Sequence, residues 1–178
     1  MGAAPGCASI QVLVTLPALS ASLNATVSVP VVTLQALHLS TSPYPSYSGS
    51  TSQVNVPLYR LDCTSFYQHA AARLVAELSD GSQTAVTAQA EFSSSNAAVV
   101  SVSSSRLSAV AVGTITLTAT FDGNSVTQDV EVSDTSVGVT SAVLKVGGAS
   151  GSYSFVAERA STVQAAVEVA FSDGTQFS

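Results

Sequence analysis

The fold class predicted by the sequence is all-β, built as sandwiches, and three observations predict it. Valine, alanine, serine and threonine take 26, 26, 31 and 17 of the 178 positions, a composition suited to strands with hydroxyl-covered faces. Apolar and small polar residues alternate in runs of strand length bounded by Gly, Pro and Ser, which is the two-residue period of half-buried strands. No window carries a sustained helical period, and the alanine-rich stretch from His69 to Val75 fits a strand as well as a helix. Sheets with one apolar face must bury it against another layer, so a sandwich follows.

Taken in order, Ser9 to Leu16 and Ala25 to Val32 are strands, and Thr33 to Ser40 is the next. Thr41 to Gln53 is an insertion rich in Ser, Pro and Tyr. Pro43 and Pro45 hold the residues before them extended and offer no ladder donor, so Tyr44 to Ser50 is expected as an exposed, irregular loop. Gln53 to Leu61 returns. Ala72, Leu74, Ala76 and Leu78 alternate with Arg73, Val75 and Glu77 and end in the turn Ser79-Asp80-Gly81-Ser82. The clearest half-buried strand sets Ile115, Leu117, Ala119 and Phe121 on one face and Thr114, Thr116, Thr118 and Thr120 on the other. Asp122-Gly123 then supplies positive φ for a hairpin, and Val126 to Val132 returns.

The turn recurs. Glu77-Leu78-Ser79-Asp80-Gly81-Ser82-Gln83 is echoed 93 residues later by Ala170-Phe171-Ser172-Asp173-Gly174-Thr175-Gln176. That period is close to the roughly 100 residues of an immunoglobulin-like sandwich and suits a tandem array. On this register residues 1–32 are the C-terminal strands of one immunoglobulin-like domain, 33–133 a complete sandwich, and 134–178 the N-terminal strands of a third. Junctions are expected near Pro30 to Thr33 and near Ser133 to Thr135, so the sequence looks like a segment of something longer.

Phe92-Ser93-Ser94-Ser95-Asn96-Ala97-Ala98-Val99-Val100-Ser101-Val102, followed by the run from Leu107 through Val112-Gly113-Thr114 to Thr120, resembles the group-two bacterial immunoglobulin-like domain. Phe92 stands where that family usually has Trp, and Val112 precedes Gly113 where Ala or Val is usual. The match runs from about Ala70 to Val132 and is weaker before Ala70. The resemblance implies stacked domains of the kind found in bacterial adhesins and in the ectodomains of eukaryotic surface glycoproteins. Composition together with Ser42-Pro43-Tyr44-Pro45-Ser46 looks like green-algal surface proteins such as the mastigoneme glycoproteins of flagellar hairs. In such a parent, Pro43 and Pro45 would be sites of hydroxylation and O-glycosylation.

Charge excludes several function classes. Lys145, Arg60, Arg73, Arg106 and Arg159 are the only Lys and Arg residues against 11 acidic ones, so no basic patch exists to neutralise phosphates and nucleic acid is not an expected partner. Residues 1–59 carry no charged side chain, but Ser9, Gln11, Thr15, Pro17, Ser20 and their successors interrupt them well short of the roughly 20 apolar residues of a membrane span. Met1 to Gln11 lacks the positive side chains of a signal-peptide n-region.

Candidate chemistry is sparse. His38 or His69 could join a serine and an aspartate on paper, but no Gly-x-Ser-x-Gly elbow presents a nucleophile. Glu77, Glu91, Glu131, Glu158 and Glu168 fall mostly on alternating strands, as solvated sheet-face charges rather than the paired acids of glycoside hydrolysis. The two histidines with Cys7 and Cys63 are too few for a zinc site. Asp129, Glu131 and Asp134 fall short of the roughly six oxygens that calcium needs. No catalytic residue, metal or cofactor is therefore expected, and the chain is expected not to be an enzyme. Asn24-Ala25-Thr26 is an N-glycosylation sequon, the alternative being a strand asparagine facing water. The expected strand order brings Cys7 and Cys63 to the same junction, where a disulfide would fix the interdomain angle. The alternative is that Cys7 pairs upstream and Cys63 is a buried thiol.

The expected function is a structural or adhesive segment of an extracellular or cell-surface glycoprotein, with neighbouring domains of the same polypeptide and other proteins of the assembly as partners. The alternative is a carbohydrate-binding accessory module of a secreted enzyme. With no Trp, that reading would lean on Tyr44 and Tyr47 as stacking faces.

Overall fold

The computed structural model describes residues 9–16, 23–146, 149–150 and 165–177, and the fold is all-β. The strands are β1 (Ser9–Leu16), β2 (Leu23–Pro30), β3 (Leu34–Tyr44), β4 (Leu58–Leu61), β5 (His69–Leu78), β6 (Gln83–Ala85), β7 (Glu91–Ser94) and β8 (Val100–Ser103). They continue as β9 (Arg106–Ala109), β10 (Gly113–Phe121), β11 (Asn124–Val137), β12 (Val139–Val146), β13 (Ala149–Ser150), β14 (Ala165–Phe171) and β15 (Gln176–Phe177). Short 3-10 turns lie at Ser50–Ser52 and Thr87–Gln89. The sheets have the orders β1-β2, β4-β11-β10-β7, β3-β5-β9-β8 with β6 on β5, and β13-β12-β14-β15.

Packing groups the chain into two compact units, one of Met1–His38 with Val75–Ala85, the other of Leu39–Leu74 with Val86–Ser178. In the first, β1 and β2 pair antiparallel, with Ser9 opposite Pro30 and Leu16 opposite Leu23. His38 Nε2 lies 2.8 Å from Glu77 Oε2 on an exposed face.

The second unit holds a sandwich core. Leu58, Ile115, Leu117, Val130 and Val132 come from β4, β10 and β11, and pack with Ala70, Ala72, Val100, Leu107 and Ala109 from β5, β8 and β9. Along β10 the expected alternation holds. Ile115, Leu117 and Ala119 are at most 1% exposed, while Thr116, Thr118 and Thr120 lie half-buried on the other face. The hairpin closes as its residues require: Asp122 and Gly123 take φ of 49° and 74°, and Phe121 sits opposite Asn124. Two successive positive φ values make the turn whose twist matches that of the flanking strands.

β11 runs on past the hairpin's partner. Antiparallel to β10 as far as Val132, it also pairs in parallel with β4, first through Val132 and Ser133 and then, after a bulge, through Ser136 and Val137. The expected junction at Ser133 to Thr135 therefore falls on a bulge within one strand, and Gly138 alone separates β11 from β12.

The insertion differs from expectation in one respect. It is irregular from Pro45 onward but only partly exposed, since Pro43 is buried inside β3, Pro45 and Tyr47 are half-buried, and Ser50 is 1% exposed. The reason is that its polar groups are satisfied internally. Asn55 Oδ1 accepts from the Thr41 N–H at 2.8 Å, the Asn55 N–H donates to the Thr41 carbonyl at 2.9 Å, and the Ser50 hydroxyl accepts from the Tyr47 N–H at 3.3 Å. Loops can bury backbone only on such terms.

The sequence repeat is a repeat of hydrogen bonds. In the first copy the Leu78 N–H donates to the Ser82 carbonyl, the Gly81 N–H to the Leu78 carbonyl, and Asp80 Oδ1 accepts from both the N–H and the hydroxyl of Ser82. In the second, Phe171, Thr175, Gly174 and Asp173 make the same four bonds. Gly81 and Gly174 take φ of 81° and 84°. Each turn is tied to the residue that leads into its own first strand. The Thr33 N–H donates to Ser79 Oγ and the Ser79 N–H to the Thr33 carbonyl, as Gly138 and Ser172 do in the second copy. The β12-β14-β15 arrangement thus repeats β3-β5-β6. The two copies differ in span, 46 residues from Thr33 to Ser79 against 34 from Gly138 to Ser172, because the first contains the insertion.

Candidate functional site

Within the second unit, the repeated turn of β14 and β15 is held by side chains from the sandwich. After β4 the chain turns sharply at Asp62 and Cys63, where Cys63 has φ of 59° and the Thr64 hydroxyl donates to the Leu61 carbonyl at 2.8 Å. The return segment brings Gln68 beside β4. There Gln68 Oε1 accepts from the Tyr59 backbone N–H at 3.0 Å, which settles the orientation of the amide, because a carbonyl oxygen alone can accept. Gln68 Nε2 then points at the turn and donates to Asp173 Oδ2 at 2.8 Å and to Thr175 Oγ1 at 2.7 Å. Asp173 keeps its other oxygen for the Thr175 N–H and hydroxyl.

A second contact comes from the insertion. The Tyr47 hydroxyl donates to Gln53 Oε1 at 2.7 Å and lies 3.4 Å from the Gly174 carbonyl. Burial, and after it the negative charge of Asp173, push the Tyr47 pKa above that of an ordinary tyrosine, with a backbone hydrogen bond from Gln176 acting weakly the other way. Gly174 is fitted tightly, since a Cβ there would stand 3.3 Å from Gln53 Nε2. Thr175 is 7% exposed, whereas its counterpart Ser82 is exposed along with Asp80 and Gly81. One copy of the turn is clasped and the other faces solvent.

Beside the clasp lies an apolar groove of about 240 Å³ lined by Tyr44, Val56, Leu61, Phe66, Tyr67 and Phe171, among others. Phe66 is 70% exposed at its rim. The Arg106 guanidinium sits 4.7 Å over the Tyr44 ring, so one face of that ring is engaged in a cation–π contact.

The residues singled out in the sequence fall as follows. Asn24 lies on β2 opposite Thr15. Cys63 is exposed rather than buried, because the turn at Asp62 carries it outward, and Cys7 lies outside the described residues. Pro43 is buried in β3 and Pro45 is half-buried just after it. His69 is exposed at the start of β5. The junction carboxylates are drawn apart: Asp129 accepts from the Thr116 hydroxyl at 3.0 Å, and Asp134 faces Arg60 Nε at 3.4 Å. Among the described residues no three His, Cys, Asp or Glu side chains converge on a point where a metal could bind. What this arrangement does chemically is hold two sheets together through neutral and charge-assisted hydrogen bonds. Sequence reasoning found the turn through its repetition and named Tyr47 only as a stacking face, but missed Gln68 and Gln53, which carry no motif. Compared with known proteins, the chain matches no family model and no curated relative.

Proposed function

We propose that the chain is a non-catalytic structural or adhesive segment of a larger extracellular surface glycoprotein, in which tandem immunoglobulin-like sandwiches serve as rod elements of a filament or stalk. The observation that carries this reading is the hydrogen-bonded repeat, with its second copy beginning one residue after β11 and its turn held by Gln68. Copies joined without a linker and tied by side chains suit the spacing of parts and the transmission of force. A charged fraction of 9% and abundant hydroxyls support an extracellular setting, and the residues from Phe92 to Thr120 supply the immunoglobulin-like resemblance. The partners on this reading are neighbouring domains of the same polypeptide and other proteins of the assembly, and the flagellar surface is its narrowest form. The carbohydrate-binding alternative needs Tyr44 and Tyr47 as free stacking faces, and the Arg106 guanidinium over one face of Tyr44 favours the first reading.

Antibodies against this segment are expected to label intact, unpermeabilised cells along surface filaments. Labelling that requires permeabilisation overturns the proposal.

A further inference from the structure

Aspartate is followed by glycine at Asp80-Gly81, Asp122-Gly123 and Asp173-Gly174, and each pair sits in a tight turn where the glycine has positive φ. The same dipeptide thus meets the same chemistry in different settings. In an Asp-Gly pair the glycine backbone nitrogen can attack the side-chain carboxyl carbon of the aspartate, because no glycine side chain stands in the way. The N–H must be free to give up its proton, and the carboxyl must be free to rotate onto the nitrogen. In the repeated turns neither group is free. The Gly81 N–H donates to the Leu78 carbonyl at 2.9 Å and the Gly174 N–H to the Phe171 carbonyl at 3.0 Å. Asp80 Oδ1 accepts from the N–H and hydroxyl of Ser82, and Asp173 accepts from Thr175 with one oxygen and from Gln68 Nε2 with the other. The bonds from Ser82 also hold the Asp80 carboxyl below the usual carboxylate range, which keeps it ionised and so a poor target for a nucleophile. Asp122 stands apart. It is exposed at the tip of the β10–β11 hairpin, and among the described residues neither its carboxylate nor the Gly123 N–H has a hydrogen-bond partner. Asn124 Nδ2 donates to the Asp122 backbone carbonyl at 3.0 Å, which leaves both reacting groups free.

We propose that Asp122 is a self-modification site, where the folded chain converts an aspartate to isoaspartate. The Gly123 nitrogen bonds to Asp122 Cγ, the carboxyl C–OH bond breaks, and the hydroxyl leaves as water with the proton from the nitrogen. The product is a succinimide ring. Water then opens the ring. Cleavage between the nitrogen and the Asp122 backbone carbonyl carbon leaves the chain running through Cγ, with the former backbone carbonyl as the free carboxylate. Cleavage between the nitrogen and Cγ restores aspartate. One water is released and one taken up, so mass is unchanged and no cofactor or redox partner takes part. The new linkage adds a methylene to the main chain between Phe121 and Asn124, which loosens the closure of the hairpin there. It also presents an isoaspartyl carboxylate at an exposed tip, the chemical class that carboxyl methyltransferases of the repair type accept. The inference does not rest on the extracellular reading, and the two can fail separately.

Prolonged incubation of the whole chain at mildly acid pH and body temperature, followed by tryptic mapping, tests it. Cleavage after Arg73, Arg106, Lys145 and Arg159 puts the Asp-Gly pairs on separate peptides. Methylation by an isoaspartyl methyltransferase with labelled S-adenosylmethionine measures isoaspartate in each peptide, and fragmentation locates the residue. In the folded chain Asp122 should isomerise at least about tenfold faster than Asp80 or Asp173, each of which must first break the hydrogen bonds of its turn. In guanidinium chloride, which removes the turns, the rates should converge to within about threefold. Isoaspartate forming at Asp80 or Asp173 as fast as at Asp122 in the folded chain overturns the proposal. So does its absence at Asp122 in the folded chain while it accumulates there in the denatured one. Rates that differ as much in the denatured chain as in the folded one also overturn it, because the cause would then lie in the flanking sequence and not in the turns.

Discussion

Gly81 and Gly174 form a matched pair that separates backbone strain from packing. Both take positive φ near 80°, but a Cβ on Gly81 meets open space while one on Gly174 meets Gln53 Nε2 at 3.3 Å. Gly81→Ala should cost about 1 kcal/mol, the strain of a left-handed non-glycine residue. Gly174→Ala should cost more, because Gln53 must move and its bond with Tyr47 is disturbed. Urea denaturation of the two variants gives the comparison, and equal losses would show that the clasp yields freely. Tyr47 gives a pH signature at the same place. Its raised pKa favours the neutral phenol in the folded protein, so the stability it contributes is present below the ordinary tyrosine range and is lost as pH rises through the raised value. Ultraviolet titration of the wild type against Tyr47→Phe should place the step that Tyr47 contributes above the ordinary tyrosine range, and Asp173→Asn should move that step to lower pH. These partners were illegible in the sequence: Gln68 and Asp173 are 105 residues apart, and Tyr47 and Gly174 are 127 apart.

β10 shows how far a single strand can be read in advance. Its period places Leu117 on the core face and Thr118 on the outer one, and Leu117 is 0% exposed while Thr118 is half-buried. Leu117→Ala should therefore cost about 3 kcal/mol, whereas Thr118→Ala should cost under ~0.5 kcal/mol. Thermal melts of both variants check this, and comparable losses would mean that the sheet's outer face is covered in solution. Hairpin and strand alternation are local signals, carried by neighbours in sequence. The parallel pairing of β4 with β11 is not: it joins Leu58 to Val132, 74 residues apart in sequence, and the four residues of β4 carry no pattern that names a partner.

At the scale of the molecule, the cysteines and the long strand bear on how the parts are joined. Cys63 is exposed at a sharp turn, where a thiol is open to pairing. If the expected bond to Cys7 forms, non-reducing peptide mapping should recover the two peptides joined. Recovery of Cys63 in alkylated form, or joined to another cysteine, would refute that pairing. The repeat period led to the two joined copies, while the manner of joining depended on contacts that no local pattern encodes. β11 carries a mechanical consequence of its own. Because β4 grips it in parallel on both sides of the bulge, tension entering through β12 and directed along β11 loads those ladder bonds side by side in shear. They would have to rupture together rather than peel one after another. The bulge at Ser133 to Ser136 interrupts that grip, so it is where slip along the strand would start.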